Sequence, residues 1–190
     1  MPLRRAARAA GVGKEGVFRI TDPHGEGTGP HAAPPAWPGL ALVGFIGLGL
    51  LVGAAAGALT AGSIGGWYAA LIHPPGTPPN ALFGPVWSVL YVLMGVAAWR
   101  IWRLVQAGPA LRLWGWQLAV NAAWTPVFFG LHRPLAALGV LVLLLVLLGL
   151  TIRRFATIDR PAAALLVPYL LWSLYALYLN AGICWLNRGW

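Results

Sequence analysis

Eight side chains at helical spacing could together bind a flat aromatic molecule. They are Trp87 and Tyr91; Asn121, Trp124 and Phe128; and Trp172, Ala176 and Asn180. Within each set the residues are separated by whole helical turns, so each set lies on one face of a helix. Aromatic rings offer stacking surfaces, and carboxamides offer both a hydrogen-bond donor and an acceptor. The pattern predicts an aromatic-lined cavity, and the alternative is plain helix-to-helix packing eased by Gly and Ala.

Residues for other kinds of chemistry are scarce. The acidic residues are Glu15, Asp22, Glu26 and Asp159. All lie outside the apolar stretches, so they cannot form a carboxylate relay for ion-coupled transport. The histidines are His24, His31, His73 and His132. Their spacing does not fit a metal site, and no nucleophile has an adjacent base, so we expect no metal, no cofactor and no conventional enzyme site.

Membrane helices must position these side chains. Hydrophobic residues form 59% of the chain and charged residues only 9%, whereas soluble domains carry about 25% charged residues. Five apolar stretches each reach the roughly 20 helical residues that span a bilayer. They cover residues 39–64, 81–105, 111–131, 135–155 and 161–186. We therefore expect an all-α integral membrane protein, with a five-transmembrane-helix bundle over residues 37–190.

Residues 1–36 have a different composition, rich in Gly, Pro, Ala and basic residues, and without an apolar period. They predict a disordered basic extension. With five spans, every basic residue except Arg133 and Arg188 lies on the side of the N-terminus. The positive-inside rule then places the N-terminus in the cytoplasm and the C-terminus outside. The same distribution explains the net charge of +9 without a nucleic-acid partner.

The longest predicted link, at residues 65–80, lies on the outer side and is rich in proline. Its candidate functional residues are His73, Pro74, Pro78 and Pro79. Proline restricts this link to extended or turn geometry. We predict a lid over the cavity, and a rigid connector between helices is an equal alternative.

The chain has eleven tryptophans. Eight lie at the ends of apolar stretches, where amphipathic rings anchor a protein at the headgroup level. These are Trp37, Trp67, Trp99, Trp102, Trp114, Trp116, Trp185 and Trp190. Trp87, Trp124 and Trp172 lie inside the stretches, which favours a role in the predicted cavity.

Three segments together resemble the TspO/MBR family. They read WYAALIHPPGTPPNALFGPVWSVLYVLMG at 67–95, QLAVNAAWTPVFFG at 117–130 and PYLLWSLYALYLNAGICWLN at 168–187. The resemblance covers about residues 39–187 and is specific, because three motifs occur in the family's order and spacing. One departure is the first link, where the family's Lys is replaced by His73 and its loop aromatic is absent.

The resemblance implies a five-helix bundle, often dimeric, that binds porphyrins such as protoporphyrin IX beneath the first link. By motif, its pocket residues are the eight side chains above. It also implies light-dependent breakdown of porphyrin, as in some members of the family, with the tryptophans matching Trp87 and Trp172 as catalytic residues.

We therefore expect a membrane receptor or carrier for tetrapyrroles, with the lipid bilayer and a second copy of the chain as its other partners. Two alternatives are a light-dependent porphyrin-degrading enzyme and a ligand-modulated membrane scaffold. The expected location is a bacterial cell membrane, and the sequence leaves both the inner and the outer membrane open.

Overall fold

A computed structural model describes residues 37–188, and within them the chain is helical between short links. The helices are α1 (Pro38–Ser63), α2 (Asn80–Val105), α3 (Pro109–Thr125), α4 (Pro134–Ala156), α5 (Arg160–Leu165) and α6 (Val167–Leu186). Two π-helical turns, Ile64–Tyr68 and Pro126–Gly130, continue α1 and α3. The predicted extension over residues 1–36 lies outside the described residues.

Prolines account for several of the helix boundaries. Pro38, Pro109 and Pro134 each begin a helix, because a missing N–H costs nothing in the first turn. The stretch predicted as one helix over 161–186 is interrupted at Leu166, which separates α5 from α6. Pro168 explains this break, because its ring excludes a regular helical hydrogen bond to Ala164.

The first link is shorter than predicted. The π-helical turn Ile64–Tyr68 is followed by two further helical residues, so the irregular segment covers residues 71–79 and not 65–80. The extension carries the ring of Trp67 against Phe128 and His132, with centroid distances of 5.6 and 4.4 Å. These ring contacts keep the end of α1 helical despite Gly65 and Gly66.

Among the described residues, four helical segments are long and apolar enough to cross a membrane. They are Pro38–Tyr68, Asn80–Val105, Pro134–Ala156 and Arg160–Leu186. Together with the composition they make this an integral membrane protein. The α-helical part of α3 has 17 residues, which is short for a span on its own, so a fifth span remains a prediction.

Glycines let α1 lie directly against α2. A Cβ atom on Gly53 would lie 2.6 Å from Cε2 of the Tyr91 ring, and one on Gly95 would lie 2.7 Å from Cα of Ile46. Such close approach of backbones supplies much of the van der Waals contact between membrane helices. Gly53 on α1 therefore lies against the ring of Tyr91 on α2, and Gly95 on α2 lies against the backbone of Ile46 on α1.

Polar contacts define two ends of the bundle. At the first, the basic end, Trp99 Nε1 donates to the carbonyl of Pro38 at 2.7 Å, and Arg100 Nε pairs with Asp159 Oδ2 at 2.6 Å. At the other, the loop end, Ser63 Oγ donates to the carbonyl of Phe129 at 2.9 Å. The backbone N–H of Ile72 also donates to Asn187 Oδ1 there, at 3.0 Å.

Candidate functional site

A cavity of about 410 Å³ lies between α1, α2, α3, α4 and α6, towards the loop end. All eight side chains predicted from sequence line it: Trp87, Tyr91, Asn121, Trp124, Phe128, Trp172, Ala176 and Asn180. Each of the described residues that line it is uncharged. The structure therefore brings the three sequence patterns together around one apolar space.

The inner boundary of the cavity is a hydrogen-bonded group of three side chains. Tyr91 Oη donates to Asn121 Oδ1 at 2.7 Å, and Asn121 Nδ2 donates to Tyr169 Oη at 2.9 Å. The exposed fractions are 3% for Tyr91, 6% for Asn121 and 0% for Tyr169. Both atoms of the Asn121 carboxamide thus have partners, and the group joins α2, α3 and α6.

A second carboxamide is held nearer the loop end. Trp124 Nε1 donates to Asn180 Oδ1 at 3.2 Å, and Asn180 Nδ2 donates to the carbonyl of Pro134 at 2.8 Å. The Trp124 ring stacks on Phe128 with centroids 5.0 Å apart and planes 21° apart. Asn180 therefore fixes the indole of Trp124, and the start of α4 is joined to α6.

Aromatic rings form the α2 and α6 walls. Trp87 lies 5.5 Å from Tyr91 with planes 30° apart. Trp172 contacts Phe83 edge-on at 6.0 Å and Tyr175 at 5.6 Å. Trp87, Trp124 and Trp172 are each half-buried, so their rings present free surface to the cavity. A planar apolar ligand could stack on these surfaces.

Several lining or supporting residues were not predicted from sequence. Tyr169, which holds Asn121, lies three residues before Trp172, so the helical spacing itself could have revealed it. Phe83 lies one turn before Trp87 and could have been found in the same way. The described α1 wall, which includes Gly53, Ala54, Gly57 and Thr60, carries no large aromatic side chain, and the Thr60 hydroxyl is bonded to the carbonyl of Ala56, so this wall gives no such signal.

The residues predicted to form a lid, His73, Pro74, Pro78 and Pro79, are absent from the described lining of the cavity. Their link is bonded to α6 instead. Asn187 pairs with both the N–H and the carbonyl of Ile72 at 3.0 Å, and Tyr178 Oη donates to the carbonyl of Pro75 at 2.9 Å. Pro74 packs against Gly182, where a Cβ would lie 2.7 Å from the proline ring.

Trp114, one of the predicted anchors at the membrane faces, is buried in the bundle. It is only 4% exposed, and its ring meets Phe45 edge-on at 5.5 Å inside the bundle. Its ring is therefore packed between helices, and its depth in the membrane stays a prediction. Its position near the end of an apolar stretch did not distinguish an anchor from a residue between α1 and α3.

Comparison with known proteins identifies the family of this chain. The family model for the TspO/MBR family matches residues 45–186, a range that contains every residue of the predicted cavity. The chain belongs to the TspO/MBR family. The resemblance found in its three sequence motifs is thus confirmed.

Relatives within the family come from bacteria and from animals. Tryptophan-rich protein TspO of Chlorobaculum tepidum is 40% identical over 152 residues, which cover 78% of this chain and 96% of the relative. Tryptophan-rich sensory protein of Cereibacter sphaeroides is 41% identical over 60% of this chain and 72% of its own. Translocator protein of Bos taurus is 38% identical over 78% of this chain and 89% of its own.

Replacing Asn121 by alanine should destabilise the folded protein. The hydroxyls of Tyr91 and Tyr169 would both lose a buried partner, at an expected cost of about 1–3 kcal/mol. The thermal unfolding midpoint in detergent, followed by intrinsic fluorescence, measures this loss. Tyr178→Phe removes a surface hydrogen bond and serves as the control. Equal shifts for the two variants would contradict the structural role of Asn121.

Proposed function

We propose that this protein is a membrane receptor or carrier that binds a planar tetrapyrrole of the protoporphyrin IX type in the cavity. The observation that carries the proposal is the convergence of three tryptophans from three helices on one uncharged space of about 410 Å³. Ligand sites of this kind are mostly apolar, with a few placed polar groups. A macrocycle would use the half-buried ring faces of Trp87, Trp124 and Trp172.

The hydrogen bonds refine the expected roles of the two carboxamides. Asn121 and Asn180 already have partners on both their oxygen and their nitrogen. They therefore act on the ligand chiefly by fixing the rings of Tyr91 and Trp124. Recognition then depends on stacking and shape more than on new hydrogen bonds from these side chains.

The name of one relative and the uncharged described lining of the cavity both favour sensing over transport. The Cereibacter sphaeroides relative carries the name tryptophan-rich sensory protein, and the described residues that line the cavity include no charged group that could hold a coupling ion. A bound ligand would then change contacts with other membrane proteins or with a second copy of the chain. The homodimer itself stays a prediction from the family resemblance.

Replacing Trp172 by alanine should weaken protoporphyrin IX binding, because one stacking face is lost. The expected loss is about 0.5–1.5 kcal/mol from stacking, plus the buried area of the ring. Titration of the protein in detergent, followed by tryptophan-fluorescence quenching, measures the affinity. Trp116→Ala is the matched control, because Trp116 is 65% exposed and does not line the cavity. Unchanged affinity in a Trp124→Ala and Trp172→Ala double variant would contradict the proposal.

A second candidate function uses the same cavity. Trp87 and Trp172 both line it and present partly free faces, so a light-excited porphyrin would lie within reach of either indole. In that case the protein would promote oxidation of the bound porphyrin by dioxygen under light.

This candidate predicts that illumination bleaches porphyrin faster with the unmodified protein than with a Trp87→Phe and Trp172→Phe variant at equal occupancy. The measurement is the decay of the porphyrin absorbance in light and in darkness. Equal bleaching rates would reject the enzyme and leave the receptor proposal standing.

We also propose five membrane crossings. Contacts at the basic end join the start of α1, the end of α2 and the link before α5. Contacts at the loop end join the end of α1, the turn after α3 and the end of α6. A chain with this alternation needs α3 and its π-helical turn, residues 109–130, to cross as well.

Five crossings and the basic end in the cytoplasm predict a C-terminus outside the cytoplasm. A C-terminal alkaline phosphatase fusion should therefore be active in cells, and a C-terminal green fluorescent protein fusion should be dark when exported unfolded. The opposite pair of results would contradict five crossings with this orientation.

A further inference from the structure

The cavity has one side whose lining residues are exposed. They are Leu50, Ala54 and Gly57 on α1, and Asn80, Gly84 and Ser88 on α2. The lining residues on α3, α4 and α6 and in both π-helical turns are buried or half-buried. The described wall of the cavity is therefore incomplete between α1 and α2, and we call this opening the α1–α2 gap.

The course of α1 explains the gap. Around its middle and towards the basic end, α1 touches α2 through Gly53 against Tyr91 and Ile46 against Gly95. Further along, a Cβ on Gly57 or on Gly84 would meet no atom within 4 Å. There α1 turns to α3, because Ser63 bonds to Phe129 and Trp67 packs on Phe128. The two helices thus touch on the side of the gap that faces the basic end, and they separate beside the cavity.

Other routes into the cavity are more closely filled. Phe83 and Trp172 meet edge-on at 6.0 Å across α2 and α6. The link at 71–79 is held on α6 by Asn187 and Tyr178. Tyr175, which lines the cavity, also donates its hydroxyl to the carbonyl of Gly76. Entry at the loop end would require these bonds to break.

The gap suits contact with hydrocarbon. At about 1.5 Å of rise per residue, Gly84 and Ser88 lie roughly 6 and 12 Å along α2 from its first residue. Ser88 Oγ donates to the carbonyl of Gly84 at 2.9 Å, so its hydroxyl needs no water. Both helices are long and apolar enough to span the membrane. An apolar molecule dissolved in the membrane leaflet at the loop end could reach the cavity without crossing an aqueous phase.

We propose that the ligand enters and leaves sideways, from the hydrocarbon of the leaflet at the loop end, through the α1–α2 gap. The identity of the ligand rests on the proposed function, and the route rests on the geometry of the gap. The ligand is then a planar amphiphile that partitions into the bilayer before it binds. The bilayer concentrates such a molecule because burial of apolar surface is favourable.

The first test narrows the gap without disturbing the fold. The variants are Gly57→Leu and Gly84→Leu, at two positions where an added Cβ would meet no atom within 4 Å. Stopped-flow quenching by protoporphyrin IX in lipid nanodiscs measures the rates. Association and dissociation should both slow by about tenfold or more, and association rates among mutants of one interface vary over about one to three decades.

Two controls make this test specific. Gly139→Leu on α4 is also at a position where an added Cβ would meet no atom within 4 Å, and Gly139 does not line the cavity, so its rates should equal those of the unmodified protein. Tyr178→Phe releases one bond of the link at 71–79 and should leave both rates unchanged. The proposal is overturned if the two gap variants match Gly139→Leu, or if Tyr178→Phe accelerates binding.

A second test does not depend on porphyrin. A cysteine is placed in the cavity by Ala176→Cys, with Cys184→Ser removing the native thiol. Pyrenyl maleimide dissolved in the bilayer should label it, and Gly84→Leu should slow this labelling. Labelling that Gly84→Leu does not slow would overturn the route. If the unmodified protein fails to bind protoporphyrin IX, the proposed function is contradicted, and the labelling result alone decides the route.

Discussion

A buried carboxamide joins three helices of this bundle. Asn121 on α3 accepts a hydrogen bond from Tyr91 on α2 and donates one to Tyr169 on α6. In hydrocarbon an unpaired polar group is costly, so the three side chains must be brought together for the helices to pack. The bonded group fixes how close α2, α3 and α6 can come, and it forms the inner boundary of the cavity.

The cavity lies between this boundary and the loop end, and it exists because small and large residues occupy different parts of the bundle. Glycines on α1 and α2 allow close contact around Tyr91 and Ile46. Towards the loop end, aromatic rings keep the helices apart, and Asn180 fixes the indole of Trp124. The result is an uncharged cavity with free ring faces. A planar ligand that stacks on these ring faces would supply contacts that the rings otherwise lack.

The sequence predicted the site better than its surroundings. Trp124 and Phe128 share a helix face with Asn121. A polar residue inside an apolar stretch faces the bundle interior, so the face of α3 that lines the cavity could be predicted. The face of α1 that lines the cavity could not be predicted, because apolar residues occur on every side of this helix. Only tertiary contacts, such as Ser63 with Phe129, decide which side of α1 lines the cavity.

The helix boundaries show a similar limit. A proline at position 168 excludes one helical hydrogen bond, yet whether a proline bends a helix or breaks it depends on its neighbours, and here the chain breaks at Leu166. The prolines of the first link predicted stiffness. They could not predict that Pro74 would pack on Gly182, because that contact joins residues far apart in the chain.

Induced circular dichroism of protoporphyrin IX tests the central claim most directly. An achiral macrocycle gains a signal in its Soret band only when it is held in one orientation by a chiral site. The account predicts a saturable signal at one ligand per chain, which is lost when Trp124 and Trp172 are both replaced by alanine. A porphyrin that remains without induced signal in the presence of the folded protein would contradict it.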